Sequence, residues 1–289
     1  MDRMFKSYEV AIIGASGQLG SEFRRLFDGR AIEIRHDQIE ITDPTSIHAV
    51  LSATGPSIVI NAAAYNWVDK AEYEPDVAFA VNALGPRTLA LACAGREIPL
   101  LHISSDYVFG LDARDAPYSE TDTPGPLGAY GLSKLAGEYF VRSLCPQHYV
   151  VRTCGLYGHA EAVGKGNFVK TILRLGRERG HVRVVDDQYC TPTSAADLAE
   201  ALVDLIQTEA FGLYHLTNRG QTTWYDFTRE IFEIANVNAT IEAISTAEFG
   251  AKARRPANSL LNCDKAAGVL HGHMPPWHDA VARYLRNLP

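Results

Sequence analysis

The sequence predicts an α/β fold in which a doubly wound parallel sheet is followed by a smaller C-terminal lobe. Short runs of β-branched residues alternate with amphipathic stretches through the first half of the chain. A glycine-rich loop joins the first run to the first amphipathic stretch, and the alternation breaks after residue 154. Alternating strands and helices are typical of a parallel sheet with helices on both faces.

The first half is predicted to consist of strand–helix units. The first strand covers residues 8–14, and Leu19, Phe23 and Phe27 follow it at helical spacing. Right-handed crossovers then place the helices on both faces of the sheet. Four further strands are predicted before residue 154, at residues 31–35, 57–61, 99–104 and 148–153.

The second half is predicted to be shared between the sheet and the lobe. We expect one domain from residues 1–153 plus 190–217, and a lobe from residues 154–189 plus 218–289. The predicted elements are a glycine-rich stretch at 155–166, helices at 168–179 and 195–206, and strands at 182–185 and 212–216.

The composition is that of an ordinary globular enzyme. The 289 residues are 46% hydrophobic and 21% charged, and the net charge of −7 gives no overall attraction to nucleic acid or to an anionic membrane. The five cysteines form no CxxC pair, which favours reduced thiols in a cytoplasmic protein. The N-terminus has no signal-peptide pattern, and we expect no apolar run long enough to span a bilayer.

The glycine loop Gly14-x-x-Gly17-x-x-Gly20 predicts a dinucleotide site of the Rossmann type. It follows a strand and opens a helix, where glycines allow backbone N–H groups to approach a diphosphate. Its spacing resembles that of extended short-chain dehydrogenase/reductases. The loop alone leaves a ligand-free turn open as the alternative. Its other predicted cofactor contacts are Ser16, Gln18 and Leu19.

The residues after the next strands predict the rest of the cofactor site. Arg35, with His36 beside it, favours the 2′-phosphate of NADPH, although NADH stays open. Asp43, after Thr42, is placed to meet the adenine amino group. Lys134 is expected to bind the nicotinamide ribose. The remaining predicted cofactor contacts are Asn61, Ala62, Ala63, Ala64, Tyr65, Asn82, Ser104 and Tyr130.

Tyr130 and Lys134 are the predicted catalytic pair. Residues four apart share one face of a helix, and an ammonium beside a phenol is expected to lower the phenol's pKa. Tyr130 can then donate a proton to a ketone that receives a hydride from a nicotinamide. Ser105, directly after a predicted strand, is expected to orient the carbonyl. The pair alone leaves an ordinary helix-surface contact open.

A specific family resemblance extends over nearly the whole chain. The chain resembles dTDP-4-dehydrorhamnose reductases, which belong to the extended short-chain dehydrogenase/reductase superfamily. The resemblance is carried by residues 14–20, 61–75, 81–82, 104–109, 126–138, 152–153, 166–168, 187–189, 191–193, 212–216 and 255–259.

The resemblance implies NAD(P)H-dependent reduction of the C4 ketone of a nucleotide-activated 6-deoxyhexose. It implies that Ser105 replaces the threonine of the family's Thr/Tyr/Lys set, a change that keeps the hydroxyl. Loop capping and turn chemistry stay open for individual residues. The implied substrate-binding residues are Asn66, Ser105, Asp106, Tyr107, Tyr130, Gly155, Asn167, Gln188, Arg255 and Asn258.

The chain departs from the family pattern in the sugar pocket. Cys154-Gly155 stands where the family often has a tryptophan after Arg-Thr-Ser, and Asn66-Trp67 stands where a threonine is frequent. We expect Trp67 to be a buried structural residue, with partial replacement of the missing indole as the alternative. Some relatives bind Mg²⁺ through glutamates. Glu22 matches one such position but Ala196 falls on another, so no catalytic metal is predicted.

Other functions remain open at the level of sequence. An epimerase or dehydratase of the same superfamily keeps the Tyr–x3–Lys pair. A non-catalytic subunit, like the regulatory subunit of methionine adenosyltransferase, keeps it as well. The expected partner is a nucleotide-sugar substrate, without nucleic acid or membrane, and a homodimer is left open.

Overall fold

The computed structural model describes residues 9–112, 114–160 and 166–288. A six-stranded parallel sheet forms its centre, with the strand order β10-β5-β4-β3-β1-β2. The predicted doubly wound α/β fold is therefore confirmed. The strands of this sheet are β1 (Val10–Ile13), β2 (Ile32–Ile34), β3 (Ile58–Asn61), β4 (Leu100–Ser105), β5 (His148–Thr153) and β10 (Gly212–His215).

Helices cover both faces of the central sheet. Leu19, Phe23 and Phe27 of α1 pack on one face with Leu198 and Leu202 of α8, beneath β1 and β4. The opposite face is covered by α2, α5 and α6. The helices of this half are α1 (Gln18–Phe27), α2 (Pro44–Thr54), α3 (Val68–Ala71), α4 (Pro75–Phe79), α5 (Gly85–Ala94), α6 (Ala129–Leu144) and α8 (Ala195–Leu205).

A second core lies in the C-terminal part of the chain. Phe227 and Ile231 of α9 pack there with Val169 of α7 and Trp277 of α12. Three two-stranded sheets accompany it: β7 with β12, β8 with β11, and β6 with β9. The elements are β6 (Leu156–Tyr157), α7 (Phe168–Arg179), β7 (His181–Val185), β8 (Tyr189–Cys190), β9 (Thr193–Ser194), β11 (Thr222–Thr223), α9 (Trp224–Ile234), β12 (Thr240–Ile244), α10 (Thr246–Phe249), α11 (Asp264–Leu270) and α12 (Trp277–Arg286).

The strands and long helices predicted after residue 154 are present within one residue at each end. The division of the chain at residues 153, 189 and 217 stays a prediction. Tyr8, in the first predicted strand, and residues 161–165, in the predicted glycine-rich stretch, lie outside the described residues.

One helical stretch corrects the expectation about apolar runs. Residues 75–94 run continuously through α4, one π-helical turn and α5, and are long and apolar enough to cross a membrane by length and composition. The expectation that the chain holds no such run is therefore wrong. The stretch packs against α6, and 56% of its apolar window is buried inside the protein. It is accounted for as a core helix.

Candidate active site

A cleft of about 850 Å³ lies at the carboxyl ends of the sheet strands. The strand order reverses between β1 and β3, and ligands of doubly wound sheets bind at this point. One wall comes from β1, β3, β4 and α6, and the other from α7, α9 and the segments around residues 155 and 189. The cleft therefore lies between the central sheet and the C-terminal part of the chain.

The glycine loop forms a tight cradle at one end of the cleft. Gly14 has φ of +82°, and a Cβ there would lie 2.7 Å from the backbone nitrogen of Ala63. A Cβ on Gly20 would lie 2.2 Å from the carbonyl oxygen of Gly14. Within the part of the chain that the structure describes, no side chain caps the first turn of α1, whose N-cap is Gly17. Its first N–H groups are thus available to an anionic ligand.

The cleft is lined near the end of β2 by His36, not by Arg35. Arg35 is 60% exposed and lies 3.8 Å from Glu33, to which its charge is attracted. Thr42 donates to Glu40 at 2.7 Å. Neither Arg35 nor Thr42 lines the cleft.

Three predicted cofactor residues support the backbone of the cleft rather than its surface. The Asp43 carboxylate caps α2 by accepting the N–H groups of Thr45 and Ser46. Asn61 accepts the N–H of Ala63 at 3.2 Å. Asn82 holds the backbone of Tyr65 through two hydrogen bonds of 2.8 and 3.0 Å. Gly20 likewise lies outside the lining, where it allows close packing of α1. The structure does bring Gly14, Ser16, Gly17, Gln18, Leu19, Ala62, Ala63, Ala64, Tyr65 and Ser104 to the cleft.

The predicted catalytic residues meet in the middle of the cleft. Tyr130, Lys134 and Ser105 all line it. The Tyr130 hydroxyl lies 3.4 Å from Asn66 Oδ1, and Lys134 Nζ donates to the carbonyl oxygen of Ile103 at 2.6 Å. Ser105 Oγ accepts the N–H of Tyr107 and donates to Asp106 Oδ1. The arrangement brings a phenol, an ammonium and a hydroxyl to the lining of one cleft.

Burial dominates the proton affinities of this group. It raises the pKa of Tyr130 to about 12, although the hydrogen bond with Ser105 acts in the opposite direction. Burial also lowers the pKa of Lys134 to about 8. Burial outweighs the expected lowering of the Tyr130 pKa, so the pKa of this phenol is raised rather than lowered. The phenol therefore stays protonated at neutral pH.

Two buried polar atoms of cleft-lining residues have no partner within hydrogen-bond geometry among the described residues. Asp106 Oδ2 and Thr153 Oγ1 are buried, and both residues line the cleft. Burial raises the pKa of the Asp106 carboxyl. Buried polar atoms are nearly always hydrogen-bonded, so these two are suited to hydroxyl groups of a ligand. Tyr107, with its ring edge against Tyr130 at 5.9 Å, lines the same region.

Trp224 forms the wall beside Gly155. Gly155 has φ of +52°, and a Cβ there would lie 3.2 Å from Trp224 Cη2 and 3.2 Å from Pro192 Cα. Trp224 and Phe168 also line the cleft, with their ring centroids 4.5 Å apart. The expectation of a buried Trp67 is wrong, since its side chain is 38% exposed and borders the cleft.

Asn167 and Gln188 line the cleft while they also fix its walls. Asn167 caps α7 and donates to Gln18 Oε1 at 3.3 Å, which joins the two sides. Gln188 donates to Thr246 Oγ1 at 2.9 Å. Both amides therefore hold a defined orientation next to the ligand space.

Arg255 and Asn258 lie outside the cleft lining. Arg255 binds the Asp69 carboxylate through both terminal nitrogens, at 3.2 and 2.9 Å, so its charge is already paired. Asn258 donates to the carbonyl oxygens of Arg114 and Ala116 and accepts the N–H of Leu260. Each has a structural task that the sequence did not reveal.

Several lining residues escaped the sequence analysis. Their positions depend on contacts between distant segments: Trp224 opens α9, and Ser259 approaches Cys154 at 4.0 Å across 105 residues. For Ser259 the sequence did offer one signal, since it directly follows Asn258, which was predicted to bind the substrate. The missed residues near the catalytic group are Thr153, Cys154, Phe168, Tyr189, Cys190, Trp224, Pro256 and Ser259.

Glu22 has an internal partner in the structure. It is 5% exposed on α1 and binds Arg25 at 2.9 Å. Among residues 9–112, 114–160 and 166–288, no group of three His, Cys, Asp or Glu side chains is arranged to hold a metal ion.

Comparison with known proteins places the chain among sugar-nucleotide reductases. A dTDP-4-dehydrorhamnose reductase from Sinorhizobium fredii is 35% identical over an alignment of 287 residues, and the match covers 95% of each chain. The crystal structure of a dTDP-4-dehydrorhamnose reductase from Clostridium acetobutylicum superposes with a TM-score of 0.91 at 36% identity, covering 96% of this chain and 98% of that one.

A second solved structure is equally similar. It is the dTDP-4-dehydrorhamnose reductase from Bacillus anthracis in complex with NADP, with a TM-score of 0.91 and 37% identity, covering 96% of this chain and 99% of that one. The family described as the RmlD substrate binding domain matches residues 8–289. The fold, the cleft and these matches together establish that the chain belongs to the RmlD substrate binding domain family.

Proposed function

We propose that this protein reduces the C4 ketone of a nucleotide-activated 6-deoxyhexose, namely dTDP-4-dehydro-L-rhamnose, to the alcohol with NADPH. The observation that carries the proposal is the meeting of Tyr130, Lys134 and Ser105 next to a glycine cradle in one cleft. The similarity to dTDP-4-dehydrorhamnose reductases over nearly the full length supports the same reaction.

The cleft fits a dinucleotide. The space above Gly14 is too small for a side chain, since a Cβ there would lie within 3.0 Å of three backbone atoms of residues 62 and 63. The uncapped first turn of α1 suits the diphosphate. His36 borders the adenosine end and can contact a 2′-phosphate. The NADP complex of the Bacillus anthracis relative supports NADPH over NADH.

The proposed chemistry assigns one task to each residue. The reduced nicotinamide, when bound, supplies the hydride that reduces the carbonyl carbon. Tyr130 Oη donates the proton that the sugar oxygen needs, and its raised pKa keeps that proton available at neutral pH. The Lys134 ammonium stabilises the phenolate that remains. Ser105 Oγ turns its single proton from Asp106 Oδ1 to the sugar oxygen when substrate binds, and so orients the ketone.

The sugar is proposed to lie between the catalytic group and the C-terminal lobe. Asp106 Oδ2 and Thr153 Oγ1 offer unpaired acceptors to its hydroxyl groups. Gln188 and the indole of Trp224 border the same space. We assign the nucleotide-sugar lobe to residues 154–189 plus 218–289, and the cofactor domain to residues 1–153 plus 190–217.

The proposed setting is the cytoplasm. All five cysteines are free thiols, and four of them are buried. The substrate of such a reductase is a small sugar nucleotide, so neither nucleic acid nor a membrane is needed as a partner. A homodimer would be detected by light scattering of the purified chain.

The proposal is tested with purified protein, dTDP-4-dehydro-L-rhamnose and each reduced cofactor. We expect stoichiometric loss of NADPH absorbance and a C4 alcohol whose configuration is read by NMR. An epimerase or dehydratase would convert the sugar nucleotide without net loss of added NADPH. A non-catalytic subunit would bind but convert nothing. Either of these two results would overturn the proposal.

A further inference from the structure

A fully buried ionic cluster lies directly beneath the catalytic group. Glu138 is 0% exposed and Arg152 is 1% exposed. Arg152 Nε donates to Glu138 Oε1 at 2.9 Å, and Arg152 Nη2 donates to Glu138 Oε2 at 2.7 Å. Ser104 Oγ donates to Glu138 Oε1 at 2.5 Å. The Glu138 carboxylate therefore binds a side chain on each of two neighbouring strands, Ser104 on β4 and Arg152 on β5.

The cluster follows the register of the central sheet. Ser104 on β4, Arg152 on β5 and His215 on β10 are partners in adjacent strands. Arg152 Nη1 lies 3.3 Å from His215 Nε2. An arginine can only donate, so Nε2 accepts and His215 Nδ1 carries the proton that it donates to the carbonyl oxygen of Tyr118. Burial lowers the pKa of His215 to about 3. The charged members are thus Glu138 and Arg152.

The same helix face carries the catalytic residues. Tyr130, Lys134 and Glu138 follow each other at four-residue spacing on α6. Lys134 Nζ binds the carbonyl oxygen of Ile103, and Glu138 binds the hydroxyl of Ser104. The helix is therefore fastened to β4 at the two residues that precede Ser105.

Stability alone does not account for a buried ion pair. Two charges lose their hydration on burial, and apolar residues of similar volume often stabilise a core as well or better. Glu138 and Arg152 pair with each other. Glu138 also lies one helical turn after Lys134 on α6 and accepts a hydrogen bond from Ser104, the residue before Ser105. Their position points to a role in the reaction.

We propose that Glu138 is a positioning residue for the reduction. With Arg152 as its counter-ion, it fixes Ser104 and thereby Ser105, and its negative charge keeps Lys134 in the ammonium form. The role in the reaction rests on the proposed function, whereas the effect on Lys134 does not.

The electrostatic part follows from the surroundings of Lys134. Burial lowers the pKa of Lys134 to about 8, and the Glu138 carboxylate acts against this. Tyr130 lies one helical turn before Lys134 on α6 and is a neutral phenol at neutral pH. His102 on β4 is neutral as well, because burial and then Lys134 hold its pKa well below its usual range. Glu138 is the anion that favours the ammonium, so its loss must lower the pKa of Lys134 further.

The test is the titration of Lys134 in Glu138→Gln, followed by NMR of ¹³C-labelled lysine side chains. The Lys134 signal is assigned by its absence in Lys134→Met. We expect the pKa of Lys134 to fall by about 1 unit. Because the ammonium is lost as pH rises through this pKa, the alkaline limb of kcat/KM should move to lower pH by the same amount.

Matched variants separate this role from a structural one. Glu138→Gln leaves the Arg152 charge unpaired and destabilises the fold, so Glu138→Gln/Arg152→Gln is titrated as well. A smaller lowering of the Lys134 pKa is expected there, because the unpaired Arg152 cation, which also disfavours the ammonium, is removed too. Ser104→Ala keeps the charge, so it should lower kcat severalfold with the pKa of Lys134 unchanged. Glu178→Gln, an exposed carboxylate paired with Arg174, should change neither.

The outcomes are distinct. A Lys134 pKa that stays at its wild-type value in both Glu138 variants, with only the melting temperature reduced, would overturn the proposal. A wild-type chain that fails to reduce the sugar nucleotide would remove the proposed function alone, because the titration of Lys134 needs neither substrate nor turnover.

Discussion

Replacement of Gly14 by alanine should weaken both the fold and the cofactor site. Gly14 has φ of +82°, and its new Cβ would lie 2.7 Å from Ala63 N and 2.9 Å from the carbonyl carbon of Ala62. The left-handed backbone costs an L-residue about 1–2 kcal/mol. Displacement of the backbone of residues 62 and 63, directly after β3, adds about 1–3 kcal/mol, as overpacking does elsewhere. Gly14→Ala should therefore lose about 2–5 kcal/mol of stability.

Gly55→Ala is the matched control for this prediction. Gly55 has φ of +55° at the end of α2, and a Cβ there meets no atom within 4 Å. Its replacement carries the backbone strain alone, partly offset by about 0.4–1 kcal/mol from the stiffer unfolded chain. The difference between the two variants isolates the close approach of Gly14 to residues 62 and 63.

The assay is thermal unfolding together with a fluorescence titration by NADPH. Each kcal/mol should lower the melting temperature by about 2–4 °C. We expect Gly14→Ala to melt well below Gly55→Ala and to bind NADPH at least about tenfold more weakly, while Gly55→Ala binds it like the wild type. Equal melting temperatures and equal affinities for the two variants would refute the argument.

Three further predictions address the edges of the site. His36→Ala should lower kcat/KM for NADPH about tenfold relative to NADH, because a charged hydrogen bond to phosphate contributes about 1.5–3 kcal/mol. Arg35→Ala should leave this ratio unchanged. If initial rates showed the same loss in both variants, they would contradict the placement of His36 at the cleft and of Arg35 outside it. The second prediction concerns Asp69. Burial acts to raise the pKa of its carboxyl, but hydrogen bonds from Arg255 hold this pKa below its usual value. Its stabilising effect is present above the unfolded pKa and is lost as pH falls through the folded one. Wild type and Asp69→Asn should therefore converge in urea stability below about pH 4, and a constant difference would count against the ion pair. Trp224→Ala should raise KM for the sugar nucleotide about tenfold with unchanged NADPH affinity, and calorimetry that finds both weakened alike would contradict its assignment.

The central sheet could be predicted because its signals are local. Residues 148–153 were predicted as a strand from a short β-branched run, and the structure places β5 at the same residues. The small sheets of the C-terminal half could not be predicted in the same way. β6 and β9 contain two residues each and pair across 35 residues of chain, so no local pattern marks them.

The candidate site was predictable where the spacing of a motif is enough to fix the relative positions of its residues. Tyr130 and Lys134 share a helix face whatever surrounds them, and a glycine loop after a strand points to the sheet edge. Short polar side chains were not predictable in this way. Asp43 and Asn258 satisfy nearby backbone groups, and only the folded chain decides between that task and a ligand. The pKa of Tyr130 also depended on burial, which the sequence does not contain.

The most direct test of the central claim is turnover of dTDP-4-dehydro-L-rhamnose by Tyr130→Phe. Phenylalanine keeps the ring of Tyr130 against Tyr107 and removes only the proton donor. We expect the rate of NADPH oxidation to fall by about 10²–10⁴ relative to the wild type, with NADPH affinity unchanged. Turnover by Tyr130→Phe at the wild-type rate would show that Tyr130 does not supply the proton.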